Sequence, residues 1–276
     1  MIKTAQLLKE HDFLIKKKYG QNFLTDHNII NKIIDGACLT KDHTVLEIGP
    51  GLGALTSGLS QRVKQVICIE IDKNLIPILE SHEFANVDIL EGDILKVDVK
   101  SLISDKTPVS IVANLPYYIS TPIITNLLIL DDIVDSITIM IQKEVADRLV
   151  AQPGTKAYGS LTVFVSYHAD VNHVITVPPG CFIPRPAVDS SVIHLKINKK
   201  RKPTNEDFFY KLVRQSFSQR RKTLINSLTN KSNEIGLTKE QIQQGFKELG
   251  INENIRGEVL SLDDFLNLSD ELCKFL

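Results

Sequence analysis

From residue 44 to about residue 200, short apolar runs alternate with amphipathic stretches. The runs at 44–48, 65–69, 87–90, 109–113, 136–141, 171–177 and 191–197 are rich in Val and Ile and predict strands. Helical spacing predicts helices at 54–62, 73–80, 122–130, 143–151 and 161–167. An earlier helix is expected at 28–37, capped by Asp26, with Ile29, Ile30, Ile33 and Ile34 on one face. Such alternation predicts an α/β fold with a mostly parallel seven-stranded sheet covered on both faces. Only a proline-rich loop joins the last two predicted strands, so one of them is expected to run antiparallel. After Lys202 the period becomes wholly helical. The expected organisation is therefore a catalytic domain over 1–200, with an N-terminal extension at 1–25, and a small all-α domain over 201–276.

Composition narrows the class. No apolar run approaches the roughly 18–20 residues that span a bilayer, and the opening MIKTAQLLKEHDFL is too polar for a secretion signal. No membrane association is expected. Four cysteines lie far apart with no CxxC pair, which predicts no metal site and a reducing cytoplasm. Nothing in the pattern calls for more than a monomer. The formal net charge of −1 conceals an uneven distribution: residues 196–222 carry ten Lys or Arg against two acids, whereas 231–276 carry five against nine. A basic stretch on a neutral chain can form a phosphate-binding face.

The segment VLEIGPGLG places Gly49, Gly51 and Gly53 between the first predicted strand and the next helix. Glycines there let a ligand approach the main chain. Glu70, 21 positions after Gly49, ends the following strand, where an acid can accept hydrogen bonds from ribose hydroxyls. A nicotinamide cofactor is disfavoured by Ala54 in place of a third motif glycine. Glu47 also stands where dinucleotide enzymes continue an apolar strand. This segment resembles motif I of S-adenosylmethionine methyltransferases, and that resemblance implies a Rossmann-like class I fold with Asp93 contacting the cofactor adenine.

The strand at 109–113 leads into Asn114-Leu115-Pro116-Tyr117. The N6 amine of adenine is a poor nucleophile because its lone pair is delocalised into the ring. Two acceptors aimed at its hydrogens would free that pair. The Asn114 amide oxygen can be one, and a carbonyl of Leu115 or Pro116 the other. Tyr117 offers a ring on which a base can stack. The tetrad resembles motif IV of the N6-adenine methyltransferases, many of which act on bases rotated out of the stack.

Further segments extend the resemblance along nearly the whole chain: KKKYGQNFL at 16–24, QKEVADRL at 142–149, YGSLTV at 158–163, FIPRPAVDSSV at 182–192 and FSQRRKTLINSL at 217–228. Together they resemble the small-subunit (16S) ribosomal RNA adenine dimethyltransferases. The resemblance implies S-adenosylmethionine as cofactor and dimethylation of two adjacent adenosines near the 3′ end of that RNA, during ribosome biogenesis. It also implies that Asn22 and Leu24 close over the cofactor and that Phe182 stacks on the target base opposite Tyr117. The prolines at 178, 179, 184 and 186 predict that Phe182 sits in an exposed, stiff loop. RNA backbone is expected to meet Arg214, Arg220, Arg221 and Lys222 in the helical domain, and Lys16, Lys17 and Lys18 near the N-terminus. Two alternatives share these motifs: an adenine methyltransferase of large-subunit RNA of the macrolide-resistance type, and a non-catalytic assembly factor.

Overall fold

A computed structural model describes residues 4–11, 13–198, 200–230 and 234–276, with the side chains of Ala5 and Lys17 excepted. The chain divides into two compact units. The first comprises 1–146 and 170–197, the second 147–169 and 198–276.

Nine strands are present among the described residues: β1 (Phe23–Leu24), β2 (Thr44–Ile48), β3 (Gln65–Glu70), β4 (Val87–Glu91), β5 (Val109–Asn114), β6 (Ser136–Gln142), β7 (Ala169–Val177), β8 (Phe182–Ile183) and β9 (Ser190–Ile197). Seven of them form one sheet in the order β4-β3-β2-β5-β6-β9-β7. The pairs β3–β4, β2–β3, β2–β5 and β5–β6 are parallel, whereas β9 runs antiparallel to β6. The expected mostly parallel sheet with an antiparallel strand is therefore what forms. Every residue of β2 is buried, as is all of β5 but its last residue, because helices cover both faces of such a sheet.

The helix His27–Gly36 starts where Asp26 accepts from the backbone N–H groups of Asn28 and Ile29. Its buried isoleucines 29, 30, 33 and 34 face the sheet. Ala54–Ser60 and Ser120–Leu128 begin just beyond the carboxyl ends of β2 and β5. One predicted helix starts later than its pattern suggested, at Ile76 rather than 73. Asp72 first closes a turn, its carbonyl taking the Leu75 N–H and its carboxylate the Asn74 N–H. Three short elements had no periodic signal long enough to read: the helices Thr4–Glu10 and Val99–Ile103, and the antiparallel pairing of β1 with β8.

The second unit is helical: Ser160–His168, Glu206–Ser216, Leu224–Leu228, Lys239–Glu248 and Leu262–Leu272. Its core joins Tyr158, Val163 and Tyr167 to Phe208, Phe209, Phe246 and Phe265. The helix Ser160–His168, which the strand–helix alternation placed with the sheet, thus buries its apolar side among the C-terminal helices.

Candidate active site

Between β2 and β5 the strand order reverses, since the chain moves from β2 outward through β3 to β4 and then returns to the other side of β2. Ligands of open α/β sheets bind outside the strand ends at such a point. A cavity lies there, within the first unit.

Its floor is the turn after β2. Gly49 and Gly51 adopt φ of +65° and +62°, a region side chains disfavour. A Cβ on Gly49 would meet open space and one on Gly51 would press on the Phe23 ring, and both glycines line the cavity. The Gly51 N–H donates to Glu70 Oε2 at 3.1 Å, and the Asp72 N–H donates to Oε1 at 2.8 Å. These bonds aim the Glu70 carboxylate at the end of β3 and leave further lone pairs for a ligand. Burial raises the Glu70 pKa, and the two N–H bonds oppose that.

Glu47 also lines the cavity and is only 1% exposed. Burial pushes its pKa up to about 7, against hydrogen bonding from Cys68 and with repulsion from Glu70 adding to the rise. Its neighbour across the ladder, Cys68, donates through Sγ to Glu47 Oε2 at 3.6 Å. Two acids in the wall of this cavity suit a ligand that carries positive charge and ribose hydroxyls.

The N-terminal segment forms another wall, contributing Asn22, Phe23 and Leu24. Strand β1 is held by β8 and by a hydrogen bond from Thr4 Oγ1 to the Leu24 carbonyl at 3.0 Å. Opposite it stands the tetrad, Asn114 to Tyr117. Asn114 Nδ2 donates to the Asn22 carbonyl at 2.9 Å, which turns Oδ1 away as an acceptor with no donor among the described residues. The Pro116 carbonyl already accepts from the Ile119 N–H. Of the two carbonyls predicted as candidates, that leaves Leu115 without a donor among the described residues. Tyr117 is half-buried, and its hydroxyl lies 2.5 Å from Ser190 Oγ, which ties the tetrad to the start of β9. Burial raises the Tyr117 pKa.

Some expected site residues lie elsewhere. Gly53 is not in the cavity wall; it caps the helix Ala54–Ser60 with φ of +84°. Asp93 is also outside the wall, and its carboxylate accepts the Leu95 N–H at 3.1 Å. The expectation of an exposed Phe182 needs correction. Its ring is 1% exposed and packs in the core with Leu24, Met140, Val177 and Val192, since pairing of β8 with β1 folds the proline-bounded segment inward. In this conformation Phe182 offers no face to a base.

The basic residues also separate. Lys16 is not a free cation but an ion-pair partner of the buried Asp72 at 2.7 Å. The side chain of Lys17 lies outside the described residues. Lys18 is exposed and sits 4.5 Å over the Tyr19 ring. In the helical unit, Arg214 pairs with Glu234 at 2.8 Å, and Arg220 is bound to the carbonyls of Lys156 and Tyr158 and to Glu258. The side chains of Arg221 and Lys222 are exposed with no partner among the described residues. Sequence reasoning passed over Asp72 and Gln21; their only signals were an acid two places after Glu70 and a polar residue beside Asn22.

The family model described as ribosomal RNA adenine dimethylase matches residues 12–274. The chain belongs to the ribosomal RNA adenine dimethylase family. Among its relatives in this family, the ribosomal RNA small subunit methyltransferase A of Lachnoclostridium phytofermentans is 49% identical, covering 97% of this chain and 94% of that protein. The protein of the same name from Clostridioides difficile is 47% identical with the same coverage. Among solved structures, a dimethyladenosine transferase from Plasmodium falciparum superposes with a TM-score of 0.78 at 29% identity, covering 89% of this chain and 95% of that one. The 23S rRNA methyltransferase ErmE superposes with a TM-score of 0.67 at 25% identity, covering 91% and 100%. Dimethylases of this family use S-adenosylmethionine. The cavity suits it: exposed main chain at Gly49, Glu70 oriented by the Gly51 N–H and placed for a ribose, and two acids in the wall.

Proposed function

We propose that this protein dimethylates the N6 amine of two adjacent adenosines near the 3′ end of small-subunit ribosomal RNA, acting as a monomer on a small ribosomal subunit or its precursor in the cytoplasm. The observation that carries the reading is the Asn114 amide, whose Nδ2 is tied to the Asn22 carbonyl so that Oδ1 is left to accept.

When bound, S-adenosylmethionine supplies an electrophilic methyl group on a sulfonium. Glu70 would hold its ribose, and Glu47 together with the main chain at Gly49 and Gly51 would face the remainder. Asn114 Oδ1 and the Leu115 carbonyl would each accept one hydrogen of the target amine, directing the nitrogen lone pair toward the methyl carbon. Positioning of this kind supplies much of the rate in such a transfer. The methylated nitrogen is strongly acidic while charged, so water suffices to take its proton. Tyr117, anchored on Ser190, would present its ring to the base. Arg221 and Lys222 would meet RNA phosphates from the helical domain after residue 200.

The test is transfer of labelled methyl from S-adenosylmethionine to small subunits lacking the modification, with large subunits in parallel. Dimethyladenosine in small-subunit RNA alone is the expected result. Label in large-subunit RNA would favour the second reading, which rests on the likeness to ErmE. Absence of label in both, with cofactor still bound, would favour a non-catalytic assembly factor.

A further inference from the structure

Asp72 takes no part in the chemistry above, yet its carboxylate is buried, with the side chain 1% exposed. Both side chains that donate to it come from the N-terminal segment. Lys16 Nζ reaches Oδ1 at 2.7 Å and Gln21 Nε2 reaches Oδ2 at 2.9 Å. Gln21 Oε1 in turn accepts the Lys16 N–H at 2.7 Å, so residues 16–21 close as a loop upon this one carboxylate. The next residue, Asn22, offers its carbonyl to Asn114 Nδ2. On the other side, the Asp72 N–H donates to Glu70 Oε1.

We propose that Asp72 is a positioning residue for methyl transfer: through Lys16 and Gln21 it fixes the Asn22 carbonyl, and that carbonyl orients the Asn114 amide. The inference rests on the reading of Asn114 Oδ1 as an acceptor for the target amine. An amide can rotate by a half-turn at little steric cost, exchanging its oxygen for its NH2 group. With the Asn22 carbonyl in place, Nδ2 has a partner and Oδ1 faces outward. With that carbonyl displaced, nothing distinguishes the two orientations, and an outward NH2 would oppose the hydrogens of the adenine amine. A carboxylate withdrawn from water is tolerated only where charged and neutral donors satisfy it, and here both side-chain donors belong to the segment being held. Burial alone would raise the Asp72 pKa, but the bonds from Lys16, Asn74 and Gln21 keep it below the ordinary carboxylate range, so the ion pair is intact at neutral pH. The same short stretch therefore joins the acid placed for the ribose to the amide placed for the base.

The experiment measures single-turnover methyl transfer to unmodified small subunits at saturating S-adenosylmethionine, and the Kd for the cofactor, in full-length Asp72→Asn, Lys16→Met and Lys16→Arg, with Asn114→Ala alongside. Losses of supporting partners around a reactive group commonly cost about 10–100-fold, and a rate loss in that range is expected for Asp72→Asn and Lys16→Met. Their cofactor Kd should stay within about threefold of wild type, which is below half of a 1.4 kcal/mol decade. Lys16→Arg, which keeps the charge, should recover most of the rate lost in Lys16→Met. A merely structural anchor would lower the melting temperature and leave the rate of the folded protein unchanged, and that outcome overturns the proposal. A loss confined to cofactor affinity overturns it as well. Should Asp72→Asn fail to fold, Lys16→Met decides, because Lys16 lies at the partly exposed end of the pair. An inactive Asn114→Ala beside fully active Asp72 and Lys16 variants defeats the positioning role alone. A fully active Asn114→Ala defeats the amide reading, whatever the other variants do.

Discussion

The side-chain amide of Asn114 donates to the backbone carbonyl of Asn22, 92 positions earlier, at 2.9 Å. This bond joins the end of a central strand to the segment that walls the cofactor cavity. It also leaves Oδ1 as the amide atom with no donor among the described residues.

Asn114→Ala is expected to lower methyl transfer at least 100-fold, the size typical of removing one preorganised hydrogen-bonding group from a reacting centre. Cofactor binding should weaken and stay measurable by calorimetry, because Glu70 and the glycine turn are untouched. Wild-type turnover in this variant would refute the mechanism.

Tyr117→Ala should reduce turnover on ribosomal subunits through loss of a stacking face worth about 1–3 kcal/mol. Tyr117→Phe keeps the ring and loses only the bond to Ser190, so it should act much more like wild type. Equal defects in the two variants would mean that the hydroxyl, rather than the ring, matters.

For Phe182 the expectation concerns stability. Its ring is buried in the core beneath β8, and Phe→Ala changes in such places cost about 3–5 kcal/mol. Denaturant unfolding of Phe182→Ala should show a loss of that size. A small loss accompanied by a large drop in turnover would instead place the ring at the substrate.

Glu47 predicts a pH signature. Its pKa rises from 4.5 to about 7 on folding, so the folded state prefers the neutral acid. That preference is fully present below pH 4.5 and is lost as pH rises through 7, an effect of about 3 kcal/mol. Glu47→Gln stays neutral throughout. Relative to wild type, the ligand-free variant should gain stability between pH 5 and pH 8, as followed by thermal melts at both values. A constant difference would show that Glu47 is ionised throughout in the folded protein.

The basic cluster of the helical unit should divide by function. Replacing Arg221 and Lys222 with Gln should weaken RNA binding and lower the salt slope by about one for each phosphate that is no longer neutralised. Arg220→Ala should leave that slope nearly unchanged and lower stability, because Arg220 bridges the carbonyls of Lys156 and Tyr158. The reverse pattern would assign phosphate binding to Arg220.

How much was legible in the sequence follows from the range of the forces involved. The seven-stranded sheet could be read because β2, β5 and β6 are short runs rich in Val, Ile and Leu, and the glycine turn and tetrad because their chemistry is contiguous. Phe182 was misjudged because four nearby prolines suggest an exposed loop, while the pairing that buries it lies about 160 residues away along the chain, at Phe23 and Leu24. The ion pair of Lys16 was not legible, because Asp72, its partner, is 56 positions distant.

The helical unit is assembled from two stretches, 147–169 and 198–276, with 170–197 between them belonging to the other unit. No single cut in the gene can therefore release either unit whole. A fragment ending near 200 would carry Tyr158, Val163 and Tyr167 without the phenylalanines that bury them, and would expose that apolar surface to aggregation. Exchange of the helical unit between relatives by recombination must accordingly transfer both stretches together, which favours inheritance of the two units as a pair.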